Sequence, residues 1–154
     1  MFAQKGDVTV GAKGGYMSKY KDVLYGLDAA YHITDPLEIV VTGLMNPNIT
    51  LKDELDMSKN KLAVYSASAD FRLYLAMQRS WGMGPILGGQ YLSVVNKTDD
   101  LYNVGVLGFN LGWHIRASLT DNLKINGGWR YTNAKEEMKY HFFYVGLAYT
   151  FEMY

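Results

Sequence analysis

The chain has 154 residues, with 15 Lys+Arg against 15 Asp+Glu and no cysteine. The charge balance leaves no global field to recruit nucleic acid, and the missing thiols exclude disulfides, thiolate metal sites and cysteine nucleophiles. Thirteen Tyr, three Trp, six Phe and 16 Gly favour β-structure with crowded or sharply bent places, while no uncharged apolar run reaches the ~18 residues of a membrane helix.

The length fits one domain over 1–154, with 1–6 a short leading segment that lacks the basic stretch and apolar core of a secretory signal. From there, period-2 alternation predicts eight strands. The first, 7–16, sets Val8, Val10, Ala12, Gly14 and Tyr16 against Thr9, Gly11, Lys13 and Gly15. The second, 23–33, sets Val23, Tyr25, Leu27, Ala29, Tyr31 and Ile33 against Leu24, Gly26, Asp28, Ala30 and His32. In the third, 37–46, Leu37, Ile39 and Val41 oppose Glu38 and Thr42. The fourth, 61–75, opposes Tyr65, Ala67, Ala69, Phe71, Leu73 and Leu75 to Ser66, Ser68, Asp70, Arg72 and Tyr74.

The fifth, 84–95, is rich in glycine and open in register. The sixth, 102–116, carries Leu107, Phe109, Leu111, Trp113 and Ile115 opposite Gly108, Asn110, Gly112, His114 and Arg116. The seventh, 123–133, opposes Leu123, Ile125, Trp129 and Tyr131 to Lys124, Asn126, Gly128, Arg130 and Thr132. The eighth ends the chain with Phe143, Val145, Leu147, Tyr149 and Phe151 against Tyr144, Gly146, Ala148 and Thr150. Compact turns at 34–36, 78–84 and 119–122 alternate with longer polar loops at 17–22, 46–60, 96–100 and 133–139. That pattern is an all-β, eight-stranded antiparallel up-and-down barrel.

The two faces decide the solvent. A soluble barrel would turn its bulky apolar face inward, whereas here the slender face holds the full charges. An eight-stranded barrel has an interior only just wide enough for side chains, which suits glycine, serine and paired charges. The bulky face would form an apolar patch far beyond what a soluble monomer exposes, so it should meet lipid. Five inward cations (Lys13, Arg72, Arg116, Lys124, Arg130) and three inward anions (Asp28, Glu38, Asp70) then form an interior charge network, with Lys13 expected to pair with Asp28. Tyr16, Tyr25, Tyr102, Tyr131 and Tyr140 near the loop ends, and Tyr31, Trp81 and Trp113 near the turn ends, form two expected aromatic belts.

The closing "YVGLAYTF", Tyr144–Phe151, resembles the terminal-strand signal of bacterial outer-membrane β-barrels. The whole chain is similar to small barrels of the OmpX and OmpA-transmembrane "porin family" type. The stretch "LTDNLKINGGWRY" before a short loop and last strand also resembles small barrels from Bacteroidota. This resemblance implies a Gram-negative outer-membrane location with both termini periplasmic. It further implies that Gly146, Tyr149 and Phe151 are read by the barrel-assembly machinery, although Glu152, Met153 and Tyr154 follow where many members stop on the aromatic. It implies contact with outer-membrane lipid and lipopolysaccharide; no periplasmic peptidoglycan-binding domain is expected to follow the barrel, so a full OmpA-like tether is not expected.

Other motifs carry less. "GMGPILGG" (82–89) lacks the strand–helix context of a dinucleotide loop, and Pro85 falls where the helix should start. Asp53, Glu54, Asp56, Asp99 and Asp100 could bridge divalent cations to lipopolysaccharide, yet match no calcium loop. Small lipid A-modifying barrels need a histidine with a serine or acid at the lipid boundary. The candidates are His114 near Ser118, and His141 near the loop rim; the deacylase His-x-Ser pattern fails because Arg116 holds the serine position. The expectation is a non-enzymatic barrel without cofactor, its lumen filled by side chains, acting through its extracellular loops. The alternatives are an accessory subunit of a larger outer-membrane transport or secretion complex, and a lipid A-modifying enzyme.

Overall fold

Period-2 side chains become strands wherever one face is apolar enough to fix the register. In the computed structural model, which describes residues 6–19, 22–34, 36–52, 59–78, 80–96, 104–135 and 139–151, these are β1 (Val8–Met17), β2 (Asp22–Thr34), β3 (Leu37–Lys52), β4 (Lys59–Leu73), β5 (Ala76–Met77), β6 (Trp81–Asn96), β7 (Val104–Ser118), β8 (Leu123–Ala134) and β9 (Lys139–Phe151). Neighbours pair antiparallel in chain order. Pairing of β1 with β9 joins the two ends of the chain, and pairing of β4 with β6 completes the ring. The two-residue β5 only prolongs the β4 side against β6, so the wall is a closed barrel of eight strands.

Two local features differ from simple alternation. Between Asn46 and Ile49, three steps of β3 match two steps of β4, from Val64 to Leu62. This one-residue bulge falls at Pro47, which cannot donate to the ladder. The pairing therefore continues to Lys52↔Lys59, and most of the expected 46–60 loop is a projecting hairpin. The second feature is the break after Leu73, where Tyr74 N–H donates to Pro36 O at 2.7 Å and Leu75 N–H to Met83 O at 3.0 Å. The Leu73 carbonyl passes so close to Gly84 that a Cβ there would overlap it; glycine permits the break.

The outward face is the bulky one. Leu27, Val41, Leu87, Leu107, Phe109, Leu111, Phe143, Val145 and Leu147 are exposed, while Lys13, Asp28, Glu38, Asp70, Arg72, Arg116, Lys124 and Arg130 are buried inside. The open register of the fifth predicted strand resolves with Gly82, Gly84, Ile86, Gln90, Leu92 and Val94 inward.

The interior is not uniformly slender. Its charged groups concentrate toward the turns, but Met17, Leu24, Leu44, Val64, Leu92, Val94, Val106 and Phe142 form an apolar cluster in the half toward the loops, with the polar Asn46 and Ser66 among them. Met17, expected in a loop, is the last residue of β1 and is fully buried.

Candidate functional site

The barrel interior holds the densest chemistry. Glu38, the second residue of β3, enters the lumen near the turn end with no exposed surface. Arg116 donates to both its carboxylate oxygens, Nη1 to Oε2 at 3.0 Å and Nη2 to Oε1 at 3.1 Å. Arg72 Nη1 reaches Oε1 at 3.3 Å, and the Tyr74 hydroxyl donates to the same oxygen at 2.8 Å. His32 Nε2 stands 3.4 Å from Oε2. Such a carboxylate is acceptable without water because several donors converge on it.

Arg72 also links Glu38 to a second carboxylate, with its Nη2 3.8 Å from Asp28 Oδ2. Lys13 Nζ lies 2.9 Å from that same oxygen and 4.7 Å from the centre of the Tyr144 ring. The third carboxylate, Asp70, takes Arg130 Nη1 at 3.3 Å and the Asn110 amide at 2.8 Å. Thr132 then donates to Asn110 Oδ1 at 2.8 Å, and Gln90 donates to the Tyr140 hydroxyl. Lys124 Nζ faces Ser118 Oγ at 3.4 Å and Asp121 O at 3.5 Å. Asp7 is also buried; it is a fourth inward anion that alternation extended one step before Thr9 would have found.

Glycine makes this crowding possible. Asp28 stands opposite Gly11, Asp70 opposite Gly88, Lys13 opposite Gly146 and Tyr144 opposite Gly128. A Cβ on Gly146 would sit 2.5 Å from Ala12 O and 2.7 Å from Lys13 Cβ. The large inward groups thus lie across neighbours that have no side chain. Gly146 therefore has a packing role in addition to the assembly role its motif implies. Tyr149 and Phe151 point outward and touch edge to face, 4.8 Å between ring centres.

Of the expected belts, Tyr16, Tyr25, Tyr31 and Trp113 are exposed on the outward face, and Trp81 and Tyr131 are half-buried. Tyr140 is a correction. It is 1 % exposed and bonded to Gln90 inside the lumen, because β9 alternates outward on odd numbers and Tyr140 is even. Tyr102 and the acidic residues Asp53, Glu54, Asp56, Asp99 and Asp100 lie outside the described residues.

The histidine candidates separate. His114 is buried, with Nδ1 2.8 Å from the Tyr144 hydroxyl, and Ser118 is engaged by Lys124 rather than by His114. A ladder of rings runs through the lumen from His32 to Tyr74, His114 and Tyr144, with centres 6.2, 6.0 and 6.1 Å apart. His141 instead lies on the outward face beside Trp129 and Tyr131.

Known proteins share this architecture. The N-terminal β-barrel domain of Pseudomonas aeruginosa OprF superimposes with a TM-score of 0.68 at 16% identity, covering 97% of this chain and 100% of that one. OprG from the same species gives 0.66 at 12% identity over 99% of both chains. Ail, the attachment invasion locus protein of Yersinia pestis, gives 0.62 at 12% identity over 96% of this chain and 100% of its own. No curated protein sequence matches the chain. The family model described as "Outer membrane protein beta-barrel domain" matches residues 3–151. The lipid-facing bulk, the closed eight-stranded wall and that match agree: the chain belongs to the outer membrane protein beta-barrel domain family, and its place is the outer membrane.

Proposed function

We propose that this barrel is a closed membrane scaffold rather than a diffusion pore, and that it works through the surface at its loop end. The observation that carries this reading is the Glu38 cluster, where Arg72, Arg116, Tyr74 and His32 converge on one buried carboxylate beneath the apolar layer of Leu24, Leu44, Leu92 and Phe142. A solute would have to break both. The termini lie on the periplasmic side and the longer connections outside. The β3–β4 and β6–β7 ends of the wall project, since β3 and β6 each have 16 residues against the roughly 9–11 that span a bilayer. Catalysis is not part of this reading, because the imidazole of neither His114 nor His141 is hydrogen-bonded to a serine side chain or carboxylate among the described residues.

Conductance in a planar bilayer tests it. The purified protein should give no steady steps; steps of porin size would overturn the closed lumen.

A second reading, an accessory subunit of a larger outer-membrane complex, is favoured by one observation. The outward face of β2–β4 is hollowed around Ala29, Gly43, Val41 and Met45 into a groove of about 650 Å³. Small residues let another membrane segment approach closely. A partner seated there should co-purify in fixed stoichiometry after mild detergent extraction.

A further inference from the structure

Charge and hydrogen bonding inside the lumen are both unbalanced, and in the same direction. Among the described residues, the buried cations are Lys13, Arg72, Arg116, Lys124 and Arg130, against the anions Asp7, Asp28, Glu38 and Asp70. Every other acidic residue lies in a connection or at a strand end. One buried positive charge is therefore left over, and an uncompensated charge held away from water is costly.

Arg116 engages Asn126 through Nε at 2.8 Å and Glu38 through both Nη atoms. Arg130 uses Nη1 alone, on Ser68 Oγ at 3.2 Å and Asp70 Oδ2 at 3.3 Å. Its Nε and Nη2 meet no protein acceptor, and Arg72 Nε, Thr42 Oγ1, Ser66 Oγ and His114 Nε2 are likewise buried without a protein partner. No buried carboxylate or amide oxygen is in that position among the described side chains. The lumen is thus short of acceptors, not of donors. A water that accepts from these groups brings two protons that need acceptors in turn. An anion only accepts.

Several of these groups gather around Tyr144. Lys13 Nζ stands 4.7 Å from the centre of its ring, and His114 Nδ1 2.8 Å from its hydroxyl. Phe142 stacks on the same ring at 5.6 Å, and Arg130 Cζ lies 5.6 Å from the Phe142 ring. Arg72 reaches the Asp28 carboxylate that Lys13 also binds, and Lys13 feels the charge of both Arg72 and Arg130. An ammonium has donors to spare after its bond to Asp28. We propose that the centre of the lumen binds one small monovalent anion of halide size, held by Arg130, Lys13 and Arg72 beside Tyr144. The ion enters as the barrel folds, because the wall and the apolar layer close the lumen afterwards. This internal site is independent of the surface role at the loop end.

The test uses the full chain refolded from urea into detergent, with sodium bromide as the probe. Crystals grown from that protein should show one anomalous bromide peak inside the lumen, in contact with Arg130 and Lys13. In solution, sodium chloride or bromide should raise the urea midpoint relative to sodium gluconate at equal ionic strength. Above saturation, a single site raises the folded-to-unfolded ratio about tenfold for each tenfold rise in halide. A general salt effect has the opposite sign, because it follows exclusion of the anion from the protein surface and favours gluconate. Arg130→Gln removes the charge surplus and should lose both the peak and the halide dependence, as should Arg72→Gln. Lys139→Gln, at an exposed cation, should keep both. The wild-type measurements decide the matter where an arginine variant fails to fold. No bromide peak in the lumen, an ordered water in its place, or equal midpoints in halide and gluconate would each overturn the site. Such a failure would leave the closed lumen standing, which bilayer conductance tests on its own.

Discussion

Arg116 and Glu38 are 78 residues apart in sequence and meet across the lumen, two guanidinium nitrogens on two carboxylate oxygens at 3.0 and 3.1 Å. The fork geometry fixes distance and angle together, so this pair ties β7 to β3 through the barrel's centre. Neither group reaches water. Glu38→Gln keeps the size but removes the charge, leaving Arg116 and Arg72 without it. Breaking one side of a buried pair costs about 3–5 kcal/mol. Urea unfolding of the barrel in detergent should show a loss in that range. Replacing Glu38, Arg72 and Arg116 together by Met should cost less than Glu38→Gln alone. If the single substitution is nearly silent, the cluster does not hold the barrel together.

Gly146 separates two roles that coincide at one position. Its neighbour Lys13 occupies the space a Cβ would need, and over-packing of this kind costs about 1–3 kcal/mol. Gly146→Ala should therefore unfold at lower urea and refold more slowly from denaturant into detergent, where no assembly machinery is present. Normal refolding in vitro together with loss of the barrel in cells would assign Gly146 to recognition alone.

Much of this was legible beforehand because a barrel wall obeys one rule. Each strand's parity, once set by a charge such as Asp28 or Arg130, fixes every other side chain on it. The glycine-rich fifth strand gave no parity from sequence, since Gly82, Gly84, Gly88 and Gly89 fall on both faces. Its register comes from pairing with β4 and β7. Tyr140 sits at the loop end, where belt residues stand, but its even number turns it into the lumen. The apolar half of the lumen was missed because Leu24, Leu44 and Leu92 stand on the same face as the charges, separated from them only by height. Composition cannot read height. Alternation ends the third strand at residue 46, whereas the structure carries the pairing past a bulge between Asn46 and Ile49 as far as Lys52.

Tyr140 and Tyr16 offer a direct contrast between lumen and belt. Tyr140→Phe leaves the buried Gln90 amide without its acceptor, a loss of about 1–3 kcal/mol. Tyr16 is 44 % exposed on the outward face, and Tyr16→Phe should stay within about 0.5 kcal/mol. Urea titrations of the two variants in the same lipid would compare them. Equal costs would mean that the inward placement of Tyr140 contributes nothing.

The outward face makes the strongest demand on its surroundings. Val145 is 68 % exposed on the wall and Leu27 67 %, and in water an arginine at either place would be nearly free of cost. Against acyl chains the same change costs about 2–4 kcal/mol near the midplane and falls toward the interfaces. Val145→Arg and Leu27→Arg should both be destabilised in lipid vesicles by that amount, while Leu119→Arg, in the exposed turn between β7 and β8, should be tolerated. The gradient separates lipid from a protein partner as well. A partner seated over β2–β4 would be lost on Leu27→Arg but kept on Val145→Arg, whereas lipid alone treats the two alike. Tolerance of arginine at both wall positions would mean that the bulky face does not meet hydrocarbon.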